Sequence, residues 1–155
     1  MNLPEYILKA LDKNGFETPT EIQEKAIPLI MSGKDVVGKS QTGSGKTFAY
    51  GIPAVILADS ETRQTEILVL CPTRELAMQI TAEIRKLNEF KEGVKVVPVY
   101  GGASMERQIV ALKQNAKIVV GTPGRVMDHM RRRTLKLKNV KMLVLDEADE
   151  MLNMG

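Results

Sequence analysis

The chain has 155 residues, 43% of them hydrophobic and 26% charged, with a formal net charge of +3. That length suits one domain with a sizeable core, and no apolar run approaches the roughly 20 residues that a membrane-crossing helix needs. The start, Met1-Asn2-Leu3-Pro4-Glu5, lacks the basic-then-apolar order of a secretory leader, and the single Cys71 cannot close an internal disulfide, so a cytoplasmic protein with no membrane partner is expected.

A first helix is expected over Pro4–Asn14 and a second over Thr20–Met31. Thr20 can cap the second, which puts Gln23 in its first turn. A glutamine offers a donor and an acceptor together and so matches the N6 amine and N7 of adenine, while Phe16 offers a flat surface for a base. A surface glutamine and a core phenylalanine explain the same residues equally well.

The short run Val36-Val37 reads as a strand, and Lys46–Ala58 as the helix that follows it. Between them lies Ser40-Gln41-Thr42-Gly43-Ser44-Gly45-Lys46-Thr47, a strand-to-helix loop of phosphate-binding form with Ser40 in place of the usual first glycine. Its glycines let backbone N–H groups converge on phosphate oxygens, and the helix N-terminus adds partial positive charge. Lys46 supplies a full charge, and Thr47 is placed to put its hydroxyl on Mg²⁺.

Strands are next expected at Ile67–Cys71, Val94–Tyr100, Lys117–Val120 and Lys141–Asp146, alternating with helices at Arg74–Phe90, Ser104–Lys113 and Pro123–Arg132. Val/Ile/Leu runs without polar alternation suit burial on both faces. The alternation therefore implies an α/β fold, a parallel sheet with helices on both faces, whose ligands bind at the carboxyl ends of the strands.

The residues after those strands carry chemistry. Thr73 and Arg74 open a helix and can hold a phosphate, or simply cap the helix and face solvent. Gly101-Gly102 permits close approach of another backbone, and Thr122 with Arg125 repeats the hydroxyl-plus-guanidinium pairing. A nucleoside triphosphate cannot occupy all three places, whereas an extended polyphosphate backbone can. Charge agrees, since residues 71–155 hold 15 Lys/Arg against 10 Asp/Glu while residues 1–70 hold 7 against 9.

The last strand delivers Asp146-Glu147-Ala148-Asp149. Apolar residues followed by an acid form a Walker B arrangement, with Asp146 holding Mg²⁺ and Glu147 orienting the attacking water. The basic run Arg131-Arg132-Arg133 reads as a solvated helix end, His129 as exposed or capping, Cys71 as a small buried residue, and Met151 with Met154 as helix core packing.

Together these segments resemble the DEAD-box family of ATP-dependent RNA helicases. Gly15–Gln23 matches its Q motif, Ser40–Thr47 motif I, Pro72–Gln79 motif Ia, Gly101-Gly102 the glycine doublet, Thr122–Arg125 motif Ib and Asp146–Asp149 motif II. The wording of motif I and the ending Glu150–Gly155 resemble bacterial members, especially the DbpA-type branch that acts on ribosomal RNA. The resemblance implies a RecA-like P-loop NTPase domain binding ATP and Mg²⁺. Adenine falls to Gln23 and Phe16, the phosphates to the loop Gln41, Thr42, Gly43, Ser44, Gly45 and Lys46, and Mg²⁺ to Thr47 and Asp146.

Water activation falls to Glu147, and RNA backbone contacts to Thr73, Arg74, Gly102, Thr122 and Arg125. Ser40 replaces the family's usual alanine. The family's Ser-Ala-Thr motif and second RecA-like domain, with its transition-state arginine, are not found within residues 1–155. The resemblance thus implies that residues 1–155 form an incomplete domain that binds nucleotide weakly with negligible turnover. Its missing strands would come from rearrangement, a second copy of the chain or further polypeptide. A non-catalytic nucleotide- or RNA-binding or assembly module stays open beside the enzyme.

Overall fold

The computed structural model of the chain describes residues 3–15, 44–59, 61 and 64–153. Four strands, β1 (Ile67–Leu70), β2 (Lys95–Val99), β3 (Ala116–Gly121) and β4 (Met142–Leu145), pair in parallel in the order β2-β3-β1-β4. Ile67 stands opposite Ile118 on one side and Met142 on the other. Six helices surround them: α1 (Glu5–Lys13), α2 (Ser44–Leu57), α3 (Arg74–Asn88), α4 (Met105–Leu112), α5 (Pro123–Arg131) and α6 (Ala148–Asn153).

Strand alternation sorts the core into two layers. Ile67, Val69, Ile118 and Val120 face Ile7 of α1, Val55 of α2 and Ile80 and Ile84 of α3. Leu68 and Val119 face the other way, onto Leu112 of α4, Val126 of α5 and Leu135. All six residues of β3 are buried, as expected of a strand covered on both faces. The expected parallel α/β sheet is therefore present, and each described element for which bounds were expected lies within two residues of them; α6 had none. The expected Val36-Val37 strand and Thr20–Met31 helix lie outside the described residues, as does Met154.

Local chemistry explains where the helices start and stop. Leu76 N–H donates to the Thr73 hydroxyl at 3.1 Å and Arg107 N–H to the Ser104 hydroxyl at 3.3 Å, each satisfying a first-turn donor that the helix leaves unpaired. At the far end of α2, Lys91 Nζ donates to the carbonyls of Val55, Ile56 and Ala58 at 2.5, 3.3 and 2.6 Å. A cation there complements the negative end of the helix dipole and replaces missing N–H donors. Among the described residues no helix is long and apolar enough to cross a membrane.

Candidate functional site

The carboxyl ends of the strands gather two groups of functional residues. The first joins α2 to β4. Ser44, Gly45 and Lys46 open α2, and Thr47 in its first turn is buried. One turn later the Tyr50 hydroxyl donates to Asp146 Oδ2 at 2.6 Å and is itself hydrogen-bonded by the Thr47 side chain. Burial, and then the Asp146 carboxylate, push the Tyr50 hydroxyl far above its ordinary value, so it stays a donor. Asp146, only 4% exposed, extends the sheet through its own N–H to Leu70 O at 2.8 Å.

Tyr50 thus ties together the hydroxyl and the carboxylate that the sequence assigns to Mg²⁺. These are hard oxygen donors, and Mg²⁺ takes one or two carboxylates beside substrate phosphates, so the residues fit the ion. Glu147 follows with φ of 55°, the left-handed region. That conformation is disfavoured by roughly 1–2 kcal/mol for a residue with a Cβ, and such strain concentrates at functional sites. Cys71 is buried at the end of β1, as expected. Burial, then the Asp146 charge, push its thiol up to about 12, so it is not a nucleophile at neutral pH.

The second group is a strip across three strand ends. Arg74 and Thr73 stand at the start of α3, Gly101 and Gly102 after β2, Thr122 and Arg125 around the start of α5. The Arg74 guanidinium lies 5.1 Å from the centre of the Tyr100 ring, a cation–π distance. Gly102 has φ of +85°, and a Cβ there would come within 3.2 Å of Arg74 Nη1. The positive φ is what favours glycine here, and an added Cβ would also press on the end of the Arg74 side chain.

Arg74, Gly101, Thr122 and Arg125 line one open cleft of about 630 Å³, with Asp128 and Met151 also on its wall. Among the described residues Thr122 makes no side-chain capping bond, and the Thr73 hydroxyl acts as an acceptor toward Leu76 N–H, a bond that leaves its own proton for a phosphate oxygen. Met151 is half-buried on this wall rather than packed in the core, which corrects the reading of its sequence pattern. Arg131, Arg132 and Arg133 are exposed, as expected of a solvated helix end.

His129 is corrected more sharply. It is fully buried, with Nε2 2.8 Å from Gln108 Oε1 and Nδ1 2.8 Å from Thr134 Oγ1. Met127 and Met130 of the same helix are exposed while His129 is buried, so its burial depends on α4, which periodicity within α5 does not report. Burial lowers its affinity for a proton, the Arg125 and Arg132 charges lower it further, and Asp128 opposes them. The unfolded chain then binds more protons near pH 6, so stability is highest above the ordinary histidine value of about 6.5 and falls with pH below it. Urea melts at pH 7.5 and 5.5 should show that loss, and His129→Leu should flatten the difference; an unchanged pH dependence would contradict the buried neutral state.

Gln41, Thr42 and Gly43 of the loop, and Gln23 and Phe16 of the adenine assignment, lie outside the described residues. Of the other assigned residues, Thr73, Arg74, Gly102, Thr122, Arg125, Asp146 and Glu147 follow the described strands, and Ser44, Gly45, Lys46 and Thr47 open α2. Tyr50, Gln108 and Thr134 were missed, because an aromatic, a glutamine and a threonine inside helical or turn segments carry no motif of their own.

Residues 20–155 match the family model described as DEAD/DEAH box helicase. The chain is 54% identical over 99% of its length to the ATP-dependent RNA helicase CshA of Listeria monocytogenes, covering 29% of that protein. It is 52% identical to the DEAD-box ATP-dependent RNA helicase CshA of Bacillus subtilis, over 99% of this chain and 31% of that protein. It thus spans under a third of the length of either relative. Among solved structures, a DEAD box protein from the hyperthermophile Methanococcus jannaschii superposes with a TM-score of 0.91 at 49% identity, over 100% of this chain and 42% of that one.

Proposed function

This chain belongs to the DEAD/DEAH box helicase family, and from that premise we propose that it supplies the ATP-binding and RNA-facing half of an ATP-dependent RNA helicase. The observation that carries the reading is the shared strand-end surface. Thr47, Tyr50 and Asp146 are tied at one end and Arg74, Thr122 and Arg125 share a cleft at the other.

Gln23 and Phe16 select adenine, while Gly43, Gly45 and Lys46 hold the phosphates. Thr47 and Asp146 hold Mg²⁺, which when bound neutralises charge on the phosphate oxygens. Glu147 orients the attacking water and takes up its proton. Thr73, Arg74, Gly102, Thr122 and Arg125 hold the RNA sugar-phosphate backbone, which carries no direct sequence information. Local duplex opening follows if that backbone is held bent when ATP is bound. A second RecA-like domain contributes the transition-state arginine, so the 155 residues alone bind nucleotide weakly and turn it over negligibly.

Leu143 and Leu145 of β4 are exposed, which favours further polypeptide or self-association at that face. Phosphate release by the whole protein should rise with single-stranded RNA and far less with a DNA oligonucleotide of the same sequence, while the 155-residue chain should show no multiple turnover. Equal stimulation by DNA would refute the RNA assignment. Turnover by the isolated chain would refute the dependence on a second domain.

A further inference from the structure

Beneath the RNA-facing strip lies a buried polar cluster that none of the motif assignments uses. Gln108, on the inner side of α4, donates from Nε2 to Tyr100 O at 3.0 Å. A carbonyl can only accept, so this bond fixes which end of the amide faces which way. Gln108 Oε1 is thereby turned toward two donors, Arg125 Nη1 at 3.2 Å and His129 Nε2 at 2.8 Å. His129 must then carry a proton on Nε2, while the Thr134 hydroxyl lies 2.8 Å from Nδ1 and 3.1 Å from the His129 carbonyl oxygen, two acceptors that share its single proton. Arg125 Nη1 also donates to Ala103 O at 3.1 Å.

Each partner is determined by the next. A glutamate in place of Gln108 would lack the donor for Tyr100 O, and an apolar residue would offer neither end. Both of these Arg125 bonds use Nη1, so among the described residues Nε and Nη2 have no protein partner while the side chain lines the cleft. A guanidinium pinned by one nitrogen presents its remaining donors in a fixed plane, the arrangement a phosphate oxygen can meet with little further ordering.

We infer that Gln108 is a positioning residue for RNA binding: backed by His129 and Thr134, its side chain holds Arg125 in the orientation that meets the nucleic-acid backbone. The inference rests on the RNA reading of the cleft given above. It also accounts for the full burial of His129, whose ring serves as the spacer between Thr134 and the glutamine.

A double-mutant cycle on the intact protein tests it, reading the affinity for a fluorescein-labelled single-stranded RNA by anisotropy over a range of salt. Arg125→Ala should weaken binding about tenfold and lower the slope of log Kd against log salt by about one. Gln108→Leu should weaken it about three- to tenfold with a lowered slope, and should add nothing in the Arg125→Ala background. Effects that multiply in the double variant would overturn the inference, because Gln108 would then act elsewhere. No effect of Arg125→Ala would overturn the RNA reading of that residue instead.

Should Gln108→Leu fail to fold, NMR of arginine side chains in the unaltered protein decides the matter. Restricted rotation of the Arg125 guanidinium without RNA is expected, and a freely rotating group would overturn the inference.

Discussion

Glu147→Gln is expected to reduce RNA-stimulated ATP hydrolysis by about 10²–10⁴-fold, the range over which a positioned acid–base group contributes. The substitution keeps size and the capacity to hydrogen-bond but removes the charge to which the proposed function gives the polarising of water and the acceptance of its proton. Glu147 follows Asp146 directly and turns through a left-handed φ before α6 begins, so the backbone reverses where β4 delivers its carboxylates. ATP affinity should change little, since the proposed assignment gives the phosphates to the loop and Mg²⁺ to Thr47 and Asp146. Lys46→Ala should nearly abolish hydrolysis by another route, through lost phosphate charge and weaker ATP binding. Phosphate release under saturating RNA, with ATP affinity measured separately, distinguishes the two; full turnover by either variant would refute its assignment.

Gly121→Ala should destabilise the fold by roughly 1–3 kcal/mol, the range for an overpacked core. A Cβ at Gly121 would lie 2.5 Å from Val126 Cγ2, 2.7 Å from Val99 Cγ2 and 2.9 Å from the Val99 carbonyl oxygen. The two side chains can yield in part, but the carbonyl cannot move freely, because it accepts the Thr122 N–H at 3.1 Å. Relief would push β3 away from β2 and carry Thr122 out of the cleft. Each kcal/mol lowers Tm by roughly 2–4 °C in a domain of this size, so a thermal melt reads the effect directly, and an unchanged Tm would show that the sheet absorbs the methyl. RNA affinity should fall in parallel.

Most of the architecture was legible because its causes are local. The Val/Ile/Leu runs of β1 and β3, the helix-opening Thr73 and Ser104, and the acids closing β4 each declare their element within a few residues. Glycines and arginines after strands located the cleft for the same reason, since a parallel sheet exposes its strand ends on one side. The connections between those places were not legible. Tyr50 meets Asp146 across 96 positions of sequence, and Gln108 meets His129 across 21. Nothing in a phenol three residues after Thr47 announces a carboxylate partner, and a histidine next to Asp128 and near Arg131 looks solvated until another helix covers it. Residues assigned to a ligand resembled known motifs; the side chains that hold them in place did not.

The parallel pairing of β1 with both β3 and β4 also sets an order of events during synthesis. Residues 73–125, which form the strip around Arg74 and Arg125, leave the ribosome before Asp146 does. Until β4 arrives, β1 presents an open edge along Ile67–Leu70, and the Tyr50 hydroxyl has no carboxylate to meet. Pairings between distant segments close large loops before they gain hydrogen bonds, so they form late and slowly. The nascent chain thus carries an unpaired, apolar strand edge for as long as translation of the last crossover takes, which is where a chaperone would find it.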